Sequence, residues 1–125
     1  MNATLLVMVG GAVGAAARYH VGRLCSETLG AQYPYGTLVV NVAGGLAMGL
    51  LAGWLARHDM PNEPWRLLIG VGVLGGFTTF SAFSLEVVKM IERGAWGTSV
   101  GYVILSVVAS ILALACGLFL MRQVA

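Results

Sequence analysis

The stretch LLIGVGVLGGFTTFSAFSL, residues 67–85, decides how this chain folds. It carries no charge, and a helix of about 20 apolar residues crosses a hydrocarbon core about 30 Å thick. Yet Gly70, Gly72, Gly75 and Gly76 are followed by Thr78, Thr79, Ser81 and Ser84. Each glycine costs about 1 kcal/mol relative to alanine inside a helix. The stretch therefore predicts a membrane helix broken near Gly75 to Thr79. Non-helical backbone at membrane depth survives only where it is buried in protein or lines a cavity, because lipid offers its amides no partner. Carbonyls freed at such a break are a usual means of holding a small cation. Gly70, Gly72 and Gly75 also satisfy G-x-G-x-x-G, but the dinucleotide fingerprint needs a preceding strand, and none is predicted here.

Working outward, the rest of the chain has the same character. Of 125 residues, 58% are hydrophobic and 10% charged, against about 25% charged in soluble domains. The charges fall at Arg18, Arg23, Glu27, Arg57, Asp59, Glu63, Arg66, Glu86, Lys89, Glu92, Arg93 and Arg122. Between them lie charge-free runs at 1–17, 36–56, 67–85 and 94–121, each of spanning length. Four transmembrane helices follow, in a single all-α membrane domain over residues 1–125 with no room for a separate catalytic unit. The first run lacks a basic region ahead of it and a small-x-small cleavage site, so it reads as a helix rather than a signal peptide. Tyr33, Pro34 and Tyr35, then Pro61, Pro64 and Trp65, then Trp96, mark the ends of spans, where aromatic rings favour the headgroup region.

Basic residues normally concentrate in cytoplasmic loops. Here Arg57, Arg66 and Arg122 share one predicted side, and Arg18, Arg23, Lys89 and Arg93 the other. So even a balance predicts insertion in both orientations and an antiparallel, dual-topology homodimer, with ordinary weak bias as the alternative. Small residues at helical spacing, namely Gly10 and Gly14, Gly45, Gly49 and Gly53, and Ala109, Ala113 and Gly117, predict close helix packing. Cys25 and Cys116 show no metal-binding spacing, and a net charge of +2 is too small and scattered for a nucleic-acid surface.

Polar residues inside the spans usually face a partner or a pathway. Thr37 and Asn41 lie four apart on the second span, and the Asn41 amide offers two donors. Tyr102, Ser106 and Ser110 recur every four residues on the fourth, a hydroxyl track about 12 Å long at 1.5 Å per residue. For Ser106 alone, a bond to its own i−4 carbonyl is the expected arrangement. Phe80 and Phe83, three apart and interleaved with Ser81 and Ser84, share a helix face. The positive edges of their rings could face a partly dehydrated anion. Arg18 could draw anions to a vestibule or simply snorkel. No Asp, Glu, His, Lys or Arg lies within the span interiors, apart from Arg18 and Glu86 near the expected ends, which disfavours proton-coupled transport and catalysis.

The blocks Gly10-Gly11-Ala12-Val13-Gly14 leading to Arg18-Tyr19, Gly36-Thr37-Leu38-Val39-Val40-Asn41-Val42-Ala43-Gly44, and Gly75-Gly76-Phe77-Thr78-Thr79-Phe80-Ser81-Ala82-Phe83 resemble the CrcB/Fluc family of fluoride channels over nearly the whole chain. The resemblance implies a dual-topology homodimer in a prokaryotic plasma membrane (the inner membrane of a Gram-negative cell), with two antiparallel fluoride pores for passive export. It implies pore roles for Phe80, Phe83 and Asn41, and polar positions along the path at Tyr102 and Ser110. It also implies a structural sodium ion held at the dimer interface by the backbone carbonyls of Gly75 and Thr78 from both subunits. Ser84 and Glu86 carry over less directly, and Ala82 stands where the family commonly has a hydroxyl. The rival readings are a small multidrug-type transporter, which would need a carboxylate that residues 1–17 lack, and a non-transporting assembly subunit.

Overall fold

The structure, a computed structural model, describes residues 2–58 and 63–124. Helix α1 runs Ala3–Leu29, started by the Asn2 side chain accepting from the Thr4 N–H at 2.7 Å and ended at Gly30, whose φ of 90° stops the helix. Helix α2 (Tyr35–Arg57) follows Pro34. The third span, Glu63–Glu92, is a composite. A short α3 (Glu63–Trp65) passes into a π-helical segment, Arg66–Leu74, then α4 (Gly75–Phe77). The backbone opens at Thr78 and resumes as α5 (Ser81–Glu92). A tight turn at Gly94, with φ of 78°, leads into α6 (Trp96–Gln123). Among the described residues all regular structure is helical, and four helical segments are long and apolar enough to cross a membrane. The protein is an all-α, multi-pass membrane protein. Pro61, expected to mark a span end, lies outside the described residues.

Two backbone-on-backbone contacts hold the helices in place. Helix α1 packs along the π segment: a Cβ on Gly10 would come within 2.9 Å of the Gly72 Cα, and one on Gly76 within 2.6 Å of the Gly11 carbonyl. Helix α2 packs along α6, where a Cβ on Gly45 would lie 2.8 Å from the Ser110 carbonyl and one on Gly117 2.6 Å from that of Leu46. The glycine stripes of α1 and α2 therefore pack as expected. On α6 the expectation holds for Gly117, while Ala109 lies on another face, with Gly101, Leu105 and Leu112. A small core of Phe83, Met90 and Tyr102 joins α5 to α6, covered by Tyr33 and Leu38.

Two features differ from the sequence reading. The opening is narrower than the break expected near Gly75 to Thr79: Gly75–Phe77 stay helical, Gly72 and Gly76 serve the close approach to α1, and the backbone opens only at the hydroxyl residues. The helices also outrun their charge-free cores: α1 continues through Arg18, Arg23 and Glu27, and α5 through Glu86 and Lys89. Charged side chains reach the interface or find internal partners, so a charge does not end a helix.

Gly49 approaches the Leu114 carbonyl so closely that even a methyl group must displace backbone, whereas nothing stands near a Cβ on Gly97. Gly49→Ala is expected to destabilise the protein by about 1–3 kcal/mol. Gly97→Ala is expected to be neutral or stabilising by up to about 1 kcal/mol. Thermal melting of the two purified variants in one detergent makes the comparison.

Candidate functional site

Breaking a helix inside a membrane releases amides and carbonyls that must find partners. The Thr78 N–H and hydroxyl both return to the Leu74 carbonyl, at 3.0 and 2.9 Å. Thr79 is gripped from α2: its N–H donates to Asn41 Oδ1 at 2.8 Å, and its carbonyl accepts from Asn41 Nδ2 at 2.9 Å. One side-chain amide thus replaces both partners that a helix would have supplied. The Thr79 hydroxyl oxygen accepts the Ala82 N–H at 3.2 Å, capping the start of α5. From the other side, Arg18 Nε of α1 donates to the Gly76 carbonyl at 3.1 Å. Among the described residues no hydrogen bond is made to the carbonyl oxygens of Gly75 or Thr78. The carbonyl end of one half-helix and the amide end of α5 therefore meet at the opening, negative and positive in turn.

Beside the opening lies a groove of about 540 Å³ whose walls include Asn41, Gly45 and Met48 of α2, Gly75, Thr78 and Phe80 of the broken span, and Phe83, Ser106 and Ser110. Phe80 is 75% exposed and Phe83 only 6%, with their ring centroids 5.4 Å apart. Phe83 stacks on Tyr102 at 5.2 Å, and the fully buried Tyr102 meets Tyr33 edge-on at 5.5 Å. Ser106 is 5% exposed, and among the described residues its hydroxyl has no partner. The expected bond to its own i−4 carbonyl is not made. A buried hydroxyl left alone costs about 1–3 kcal/mol, so Ser106 stands out among the groove-lining hydroxyls.

Thr37 and Tyr102 converge elsewhere. The Thr37 hydroxyl donates to Glu86 Oε2 and the Tyr102 hydroxyl to Glu86 Oε1, each at 2.9 Å. Glu86 is the hub of this cluster and the residue that sequence reasoning ranked too low. Its signal was the i, i+3 spacing from Phe83, which puts both on one face of α5. Arg18 sits apart, in a cleft of about 500 Å³ shared with Tyr19, Thr37, Val40 and Thr79 between α1 and α2. Ser81 is exposed at the first turn of α5, its hydroxyl 3.4 Å from that of Thr79, and the Ser84 hydroxyl is spent on the Phe80 carbonyl at 2.9 Å. The structure thus gathers Asn41, Gly75, Thr78, Phe80, Phe83, Ser106 and Ser110 at one groove and sets Thr37, Tyr102, Ser81 and Arg18 around it.

A family model described as CrcB-like protein, Camphor Resistance (CrcB), matches residues 5–118. The chain is 55% identical over 125 residues to the fluoride-specific ion channel FluC of Phenylobacterium zucineum, covering 99% of this chain and 98% of that one. It is 53% identical over 125 residues to the protein of the same name from Caulobacter vibrioides, with the same coverage. Against the one from Novosphingobium aromaticivorans it is 52% identical over 127 residues and covers both chains completely.

Because Asn41 satisfies two backbone groups at once, Asn41→Ala is expected to lower stability by about 1–3 kcal/mol for each group it orphans. Thermal melting in detergent measures this; an unchanged midpoint would mean that the amide does nothing for the fold.

Proposed function

The chain belongs to the CrcB-like family, and from that premise we propose that it is a fluoride-selective channel of a bacterial inner membrane, through which fluoride leaves the cell passively. The observation that carries this reading is the groove itself: a buried Ser106 hydroxyl, unpartnered among the described residues, beside the mutually tilted rings of Phe80 and Phe83. The names of the relatives, fluoride-specific ion channels, support the choice of ion. None of them is named a multidrug transporter.

Fluoride is small and holds water tightly, so a path must replace its shell with donors. Ser106 and Ser110 offer hydroxyls, Asn41 its remaining amide hydrogen, and the two phenyl rings their positive edges. Ser81 adds a hydroxyl at the amide end of α5, where the helix dipole favours an anion. Glu86 takes no anion directly; it accepts from Thr37 and Tyr102 and so holds two hydroxyls at the Tyr102 end of the track. Chloride, larger and with weaker demand for donors, gains less from this set.

The functional unit in this reading is an antiparallel homodimer with two pores, embedded in membrane lipid and without a nucleic-acid partner. The strong exposure of Phe80 supports it, since a ring that lines a pore needs a second wall. The near-equal division of basic residues between the two sides supports the opposed orientation. Sodium fits the same arrangement. Gly75 and Thr78 both line the groove, and among the described residues no hydrogen bond is made to their carbonyls, which are hard oxygen donors. Two carbonyls make half of a four-oxygen shell, and a second copy supplies the rest. The bound ion would contribute a fixed positive charge that ties the carbonyl ends of the two broken spans together.

The deciding experiment is fluoride efflux from liposomes holding the purified protein, read by a fluoride electrode with valinomycin present and chloride in parallel. Rapid fluoride loss without chloride loss is expected; loss of neither ion would sink the reading. In the same assay Phe80→Ile should cut fluoride flux at least about tenfold, the loss of roughly 1.4 kcal/mol of stabilisation in the pore, while the dimer stays folded. Exchanging sodium for a bulky organic cation during purification should weaken dimer assembly or flux, and indifference of both would remove the ion from Gly75 and Thr78.

A further inference from the structure

Arg18 lies on the same face of α1 as Gly10 and Gly14, at four-residue intervals. The two glycines bring α1 onto the backbone of the third span at Gly72, Val73 and Phe77. The next position along that face reaches the opening, and there Arg18 Nε meets the Gly76 carbonyl at 3.1 Å. That carbonyl lies one residue after Gly75 and two before Thr78. Asn41 holds Thr79 from α2 in the same few residues.

We propose that Arg18 is a positioning residue: its Nε–H, rather than its charge, fixes the path of the backbone at the opening, and it does not work as an anion attractor in a vestibule. The geometry favours this over long-range attraction because the half-buried guanidinium is committed to a backbone acceptor at the carbonyl end of a half-helix. With Gly76 tethered by α1 and Thr79 by α2, the backbone between them, Phe77 and Thr78, is held at both ends. The effect on flux rests on the fluoride-channel reading above; the effect on the fold does not.

Three substitutions separate hydrogen bond from charge. Glutamine places its Nε2–H the same number of bonds from the backbone as Nε of arginine, and carries no charge. Lysine keeps the charge but has a methylene at that position, with its ammonium one bond farther out. Methionine has neither donor nor charge. In reconstituted full-length protein, Arg18→Gln is expected to keep fluoride efflux within about threefold of wild type, and Arg18→Met to lose about tenfold or more. Arg18→Lys should fall below Arg18→Gln, and Arg18→Gln should keep the wild-type dependence on ionic strength, which an attractor would lose.

Lysine at wild-type flux with glutamine as poor as methionine would overturn the proposal. If Arg18→Met does not fold, the order of Gln and Lys decides alone. If wild-type protein carries no fluoride, the channel reading falls, and thermal melting decides for Arg18: Gln above Lys sustains it, and Lys at or above Gln refutes it.

Discussion

Everything in this molecule depends on how a broken helix keeps its amides satisfied where there is no water. The answer is a single asparagine. Asn41 presents an acceptor and a donor to the N–H and carbonyl of Thr79, as a neighbouring strand would. With those two groups paired, the chain can leave helical geometry at Thr78 and return to it at Ser81. The opening then costs little, and it exposes two half-helix ends of opposite polarity at one place.

The remaining architecture serves that place. The glycine faces of α1 and α2 bring backbone against backbone, so the side chains that reach the opening come from short distances and with little freedom. Tyr102, locked between Phe83, Tyr33 and Glu86, braces the far end of the groove. Its hydroxyl and that of Thr37 are both committed, whereas Ser106 is not. Along α6 the hydroxyl of Tyr102 is thus tied to Glu86, while that of Ser106, one turn on, is left beside the groove.

Much of this could be read from residues alone. Charge-free runs located four spans, because crossing a hydrocarbon core imposes length and composition together. Glycines followed by hydroxyl residues located the opening to within a few positions. Four-residue spacing put Asn41, Ser106 and Ser110 on faces that do meet. Less legible were the features set by tertiary contact. No propensity scale separates a glycine that breaks a helix from one that admits a neighbour, so the break was expected from Gly75 onward, whereas Gly75 and Gly76 stay helical and Gly76 admits α1. Charge was taken to mark span ends, yet Arg18 and Glu86 lie on helices that run past them and have internal partners. Which hydroxyl of the track stays free depends on where a carboxylate from another helix stands, and spacing along one chain does not carry that.

The π-helical segment Arg66–Leu74 has a consequence for how this span tolerates change. Its wider turn sets the rotational phase with which the backbone arrives at Gly75. Each residue of an ordinary helix advances the phase by about 100°. Adding or removing one residue between Arg66 and Leu74 would therefore rotate Gly75 and Thr78 out of the wall of the groove, even with every side chain there kept. Side chains along the outer face can drift in identity, but the count of residues in this segment cannot.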